Sequence, residues 1–174
     1  MDFAARARLD PATRLQMLED AEEIRWMKAH YAQVCDDKFT IDHTAKPQAE
    51  IDAAVRPMVD RIFAEDASWG GFTDGTPPVI GREAIFQRLR LSLWTFAMHY
   101  YVNPVIDVHG DTAHARWMLW EPCTSVETGR AMWMAAITED DYIRTPQGWR
   151  LKHYAVTYKF LTPFDRPWTE GQAR

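Results

Sequence analysis

No stretch of this sequence approaches the run of about 18 apolar residues that a membrane-crossing helix requires. The opening segment "MDFAARARLDPATR" lacks the apolar block of a secretory signal. Cysteine is scarce: Cys35 and Cys123 stand far apart and form no CxxC pair, so neither a disulfide scaffold nor a cysteine metal framework is indicated. A reducing, cytoplasmic setting is the expectation that follows. Clusters of Lys or Arg are absent and the net charge is −5, which argues against nucleic acid as a partner, because phosphate contact needs a basic surface. His30, His43, His99, His109, His114 and His153 show neither HxH nor HExxH spacing, so no metal is expected. GxSxG, P-loop and GxGxxG motifs are missing as well, and nothing calls for a cofactor.

What is plentiful is aromatic surface. Eight Trp, eight Phe and six Tyr in 174 residues can fill a bulky core or line a pocket for a flat apolar ligand. A chain of this length forms one domain. Residues 1–174 are read as that domain, with flexible ends at 1–10 and 166–174.

The first half has helical period. Asp10-Pro11 supplies an N-cap and a proline at the first helical position. Leu15, Leu18, Ala21, Ile24, Met27 and Tyr31 then recur at helical spacing, and the helix should end near Cys35-Asp36-Asp37. "TIDHTAKPQ" is a polar connection. "AEIDAAVRPMVDRIFAEDA" is helical again, and Pro57 predicts a break into two short helices. "SWGGFTDGTPP" reads as a short strand and a turn, and "REAIFQRLRLSLW" as a helix with Ile85, Leu89 and Leu93 on one face.

The second half has strand period. Four strands are predicted over 95–108, 112–122, 130–142 and 149–161, separated by "HGD", "SVETG" and "TPQG". Short links suit antiparallel neighbours. Helices followed by a meander predict an α+β fold, with helices packed on a curved antiparallel sheet and a pocket at the open end of the cone.

"FAMHYYVNP" concentrates polar groups in an otherwise apolar strand. Alternation puts His99, Tyr101 and Asn103 on one face. A histidine titrates near neutrality, which makes His99 the candidate acid or base. A carboxylate that orients it would come from Asp36 or Asp37 at the end of the first long helix, where the helix dipole disfavours an acid. Glu121 is a possible second carboxylate at the mouth of the cone or a rim residue. His109 falls in a hairpin turn, where a surface role is expected.

Five segments together resemble one family: "AEEIRWMKAHYAQVCDD", "IFAEDASW", "VIGREAIFQRL", "MHYYVNPVIDVHGDTAHARWMLW" and "WRLKHYAVTYKFLTPF". They are similar to the SnoaL-like branch of the NTF2-like superfamily, the cone-shaped α+β-barrels that include scytalone dehydratase, ketosteroid isomerase, hexachlorocyclohexane dehydrochlorinase and bile acid 7α-dehydratase. The resemblance implies a His99–Asp36 dyad, with Tyr31 at the family's spacing from Asp36 and a further carboxylate near Glu121. Tyr154 stands where the dehydrochlorinase carries an arginine, a departure that argues against a chlorinated substrate.

The reaction so implied is a cofactor-independent elimination or isomerisation of a hydrophobic cyclic hydroxy-ketone, steroid or polyketide-like molecule. His99 removes the proton, Asp36 holds the imidazole, and Tyr31 with Tyr101 or Asn103 donates to the developing oxyanion. Trp69, Trp120, Trp133, Tyr154 and Tyr158 are expected around the substrate. Exposed sheet surface predicts a homodimer or homotrimer. A pocket protein without turnover, or a partner like the small subunit of a ring-hydroxylating dioxygenase, are the alternatives.

Overall fold

A computed structural model describes residues 3–70 and 75–170. A short helix α1 (Phe3–Ala7) precedes the long helix α2 (Pro11–Asp36), whose first turn is capped by Asp10 accepting from the Thr13 amide at 3.0 Å. Helix α3 (Gln48–Ile62) runs into β1 (Phe63–Trp69), and β2 (Val79–Ile80) leads into α4 (Arg82–Leu89). Five further strands follow: β3 (Trp94–Ala97), β4 (Tyr100–His109), β5 (Thr112–Ser125), β6 (Ala131–Thr145) and β7 (Gly148–Pro163).

The strands form one curled sheet in the order β2-β1-β7-β6-β5-β3, with β4 also on β5. Among the described residues only the β1–β7 pair is parallel; the remaining pairs are antiparallel. Its concave face wraps α2 and α3, and the core fills that concavity with Ile24, Met27, Val55, Met58, Trp149 and Leu151. Together these elements make the expected α+β cone. Among the described residues no helix is long and apolar enough to cross a membrane. The turn expected within "GGFTDG" falls largely outside the described residues.

Four local expectations are corrected. Helix α3 runs through Pro57 unbroken. Ala53, whose carbonyl loses its partner there, and Pro57 both face solvent, while Ile51, Val55, Met58, Val59 and Ile62 pin the opposite side. Helix α4 stops at Leu89, and Leu93 is exposed. Side chains capture the carbonyls that end it: Lys38 donates to Leu89 and Leu91, and Gln48 to Arg90. In α2, Leu15 and Leu18 are exposed, and Asp20 and Lys28 are buried instead.

The fourth correction shapes the site. The strand predicted over 95–108 is two strands laid end to end along β5. Between them Met98 donates its amide to the Pro122 carbonyl, and the His99 amide turns away from the sheet. A backbone N–H needs a partner wherever water is excluded, and the one that reaches His99 is a carboxylate of α2.

Candidate active site

Asp36 closes α2 at the open end of the cone, while Asp37 caps the helix and faces solvent. The Asp36 carboxylate accepts the His99 amide at 3.0 and 3.2 Å and meets its ring Nδ1 at 2.6 Å. A carboxylate at that distance accepts a hydrogen bond from Nδ1–H, which leaves Nε2 as the ring nitrogen without a proton in the neutral imidazole. Nε2 lies 3.4 Å from Oε2 of Glu121, a side chain almost wholly buried. Among the described residues the other oxygen of Glu121, Oε1, has no hydrogen-bond partner.

Burial alone depresses the affinity of His99 for a proton, but the charges of Glu121 and Asp36 outweigh it and raise its pKa above the ordinary value. Burial raises the pKa of Glu121, and the protonated imidazole only partly opposes this. The two groups therefore compete for one proton across a short gap.

Tyr31 comes from α2 one turn and a half before Asp36. Its hydroxyl accepts the Trp69 indole N–H at 3.1 Å, which leaves the phenolic proton to be donated, and its ring meets His99 edge-on. Tyr154 stacks flat on Trp69 and shares a hydrogen bond of 2.9 Å with Tyr101. Burial raises the pKa values of Tyr31, Tyr101 and Tyr154 well above the usual phenol range, so all three remain donors. Burial also pushes the Cys35 thiol up to about 11, so it offers no thiolate near neutrality.

His99, Glu121, Tyr31, Cys35, Trp69 and Tyr154 line a cavity of about 110 Å³ inside the cone, which also touches Lys38, Arg88, Trp94 and Met134. A broader groove between α2 and β4 reaches His99 from the other side, past Asp36, Lys28 and Tyr101. That side holds Nδ1, whereas Nε2 lies beside Glu121, which lines the inner cavity.

The predicted wall is only partly there. Trp69, Tyr154 and Tyr158 line the cavity. Tyr101 does not line it and lies behind Tyr154, His99 and Tyr31, which do. Asn103 does not face it: a bulge between Val102 and Val105 shifts the alternation, and Asn103 is exposed at φ 50° with its amide near Met118 Sδ. Trp120 and Trp133 point to the outer face, where their rings pack 4.9 Å apart beside Phe160. Strand alternation requires this, because Leu119 and Glu121 face inward.

Sequence reasoning missed Lys38, Arg88 and the buried Lys28. Lys28 Nζ bonds Asp140 at 2.8 Å and Thr138 at 3.1 Å, beneath the rings of Tyr101 and Tyr154. A lysine and an aspartate distant in sequence carry no spacing signal. Among the described residues no His, Cys, Asp and Glu side chains gather as a metal site.

Residues 49–155 match the model of the SnoaL-like domain. The chain belongs to the SnoaL-like family. No curated protein matches it by sequence. Solved structures share the fold of this SnoaL-like chain. An NTF2-like protein of cystatin-like fold from Novosphingobium aromaticivorans is 23% identical, covers 85% of this chain and 87% of its own, and superposes with a TM-score of 0.67. A hexachlorocyclohexane dehydrochlorinase from Novosphingobium barchaimii is 16% identical over 88% of this chain and 95% of its own, with a TM-score of 0.68. A candidate scytalone dehydratase from Novosphingobium aromaticivorans is 16% identical over 91% and 94%, with a TM-score of 0.64.

Proposed function

We propose that this chain is a cofactor-independent lyase or isomerase acting on a small cyclic hydroxy-ketone, with His99 as the base. The observation that carries this reading is the orientation of the imidazole. Asp36 holds Nδ1 at 2.6 Å, and Nε2 is presented to the cavity beside a second carboxyl group.

In the eliminating direction, Nε2 takes a proton from the carbon next to the ketone. The electron pair of that C–H bond becomes the enolate, whose oxygen accepts the Tyr31 hydroxyl proton as a hydrogen bond. Collapse of the enolate forms the C=C bond and breaks the C–O bond of the β-hydroxyl. Glu121, whose pKa burial raises, gives that oxygen its proton, and water leaves. The proton on Nε2 then crosses 3.4 Å to Glu121 and resets both groups. The Asp36 carboxylate, hydrogen-bonded to Nδ1, stabilises the imidazolium.

The cavity favours a small body. A benzene ring occupies an enclosed protein cavity of roughly 150 Å³, and this one measures about 110 Å³. One ring fills it, and any larger skeleton must extend through the mouth past Leu91 and Leu93. A steroid or polyketide would place most of its surface outside.

A dehydrochlorinase and a candidate scytalone dehydratase on the same fold support an eliminating chemistry. Convergent polar groups around a formed cavity favour it over the partner-subunit reading. Incubation with cyclic β-hydroxy ketones, followed by mass spectrometry for loss of water, tests it. Turnover by the wild type and none by His99→Gln is expected; equal turnover by both would refute the dyad.

A further inference from the structure

Two cations line this cavity beside Glu121, and among the described residues neither forms an ion pair with a carboxylate. Lys38 follows α2 and is only 8% exposed. Its ammonium has three N–H donors, of which two are used, on the Leu89 carbonyl at 3.1 Å and the Leu91 carbonyl at 3.4 Å. Among the described residues nothing takes the third. Arg88, in the last turn of α4, lays its guanidinium over Trp69 with Cζ 5.5 Å from the ring centroid. Among the described residues it makes no hydrogen bond and no ion pair, so its fork of donors is held by stacking and otherwise unassigned.

The positioning of both is built rather than incidental. Trp69 is buried, stacks on Tyr154 at 5.8 Å, and is tied to Tyr31 through its indole nitrogen. Arg88 therefore rests on the same aromatic pair that forms the cavity wall. Lys38 is clamped to the segment that follows Arg88, which keeps the two cations on one side of the mouth. The neighbouring surface is apolar: Leu91 and Leu93 are exposed at the rim. A cationic fork on an aromatic plate, above a cavity the size of one ring, matches a small apolar ring that bears a carboxylate.

We propose that Arg88 and Lys38 seat an anionic group, a carboxylate on the substrate's ring, and so determine which cyclic ketones this site accepts. The proposal names the substrate class of the site proposed above and rests on that reading for catalysis, but anion binding itself does not depend on turnover. The Arg88 fork takes both carboxylate oxygens, and the free Lys38 donor takes one of them from below. With the anion held at the mouth, the ketone end of the ring lies toward Tyr31 and the adjacent C–H toward His99.

The test compares 3-oxocyclohexanecarboxylate with its neutral carboxamide by titration calorimetry on the wild type, Arg88→Met and Lys38→Gln. The wild type should bind the acid about 10- to 100-fold more tightly than the amide, the range of hydrogen bonds to charged groups. Arg88→Met keeps the packing on Trp69 and should reduce acid affinity to the amide's level, with amide binding unchanged. Lys38→Gln should lose part of the preference. Added salt should weaken the acid alone. Equal binding of acid and amide by the wild type, retention of the preference in Arg88→Met, or failure of both probes to bind at millimolar concentration would overturn the proposal. Acid-selective binding without proton exchange at the ketone would leave the anion seat standing and remove the catalytic reading. Exchange without acid preference would do the reverse.

Discussion

The carboxylate of Asp36 accepts both the backbone N–H and the ring Nδ1 of His99, at 3.0 and 2.6 Å. One side chain therefore fixes the position of the strand break and the tautomer of the imidazole together. Asp36→Asn keeps the shape but offers an amide instead of a charge, so Nδ1 no longer holds its proton by default and the imidazolium loses its counter-charge. Proton abstraction should fall by about 10²-fold or more, within the range assigned to a positioned general base. Nitrogen NMR of the His99 ring should show a change of tautomer alongside the lost rate. A rate unchanged by this substitution would show that the pairing is structural.

Glu121→Gln separates two steps. It removes the acid proposed to protonate the leaving hydroxyl, so dehydration should fall steeply while exchange of the ketone's α-proton continues. The pH profile gives the sign. Besides burial, which lowers it, His99's pKa is set by Glu121 and Asp36, which raise it. Without the Glu121 charge the pKa drops, the neutral base persists to lower pH, and the rising limb of the exchange rate moves toward acid. A shift toward alkaline pH, or none, would contradict the coupling seen across 3.4 Å.

Beneath the site, Lys28 and Asp140 are both buried, and Tyr142 donates a further hydrogen bond of 2.9 Å to the carboxylate. Lys28→Met leaves a buried carboxylate uncompensated and should cost about 3–5 kcal/mol in urea unfolding. Adding Asp140→Asn removes that charge and should recover much of the loss. If the double variant is no more stable than Lys28→Met, the cost lies in packing under the tyrosines and not in the charge.

Asn103 marks where sequence and structure part. Strand alternation placed it beside His99, yet the bulge before Val105 sends it to solvent with φ 50°. Asn103→Gly should leave catalysis unchanged and alter stability by no more than about 1 kcal/mol, since glycine adopts that backbone freely. A large loss of rate would return Asn103 to the site.

The same comparison explains what was legible. Period and turn chemistry located β5, β6 and β7 within a few residues, because long antiparallel neighbours with short links leave little choice of pairing. The Asp36–His99 contact was foreseen through the family resemblance and two local oddities, an acid that opposes the helix dipole and a histidine that interrupts an apolar run. Trp120 and Trp133 were misplaced because an aromatic residue fits an outer sheet face as well as a pocket, and only the inward orientation of Glu121 decides between them. Arg88 and Lys38 could not be found at all. Their role depends on Trp69 and on the carbonyls that end α4, relationships that exist only after the chain has folded.

The most direct test of the account is proton exchange, because it needs neither the natural substrate nor a leaving group. The protein is incubated with small cyclic ketones, including 3-oxocyclohexanecarboxylate, in deuterium oxide near neutral pH, and loss of the α-proton signal is followed by NMR. The account predicts exchange by the wild type well above the buffer rate, with His99→Gln, folded to the same melting temperature, returned to background. Exchange at equal rates in both proteins would contradict His99 as the base, and so would none above background in the wild type.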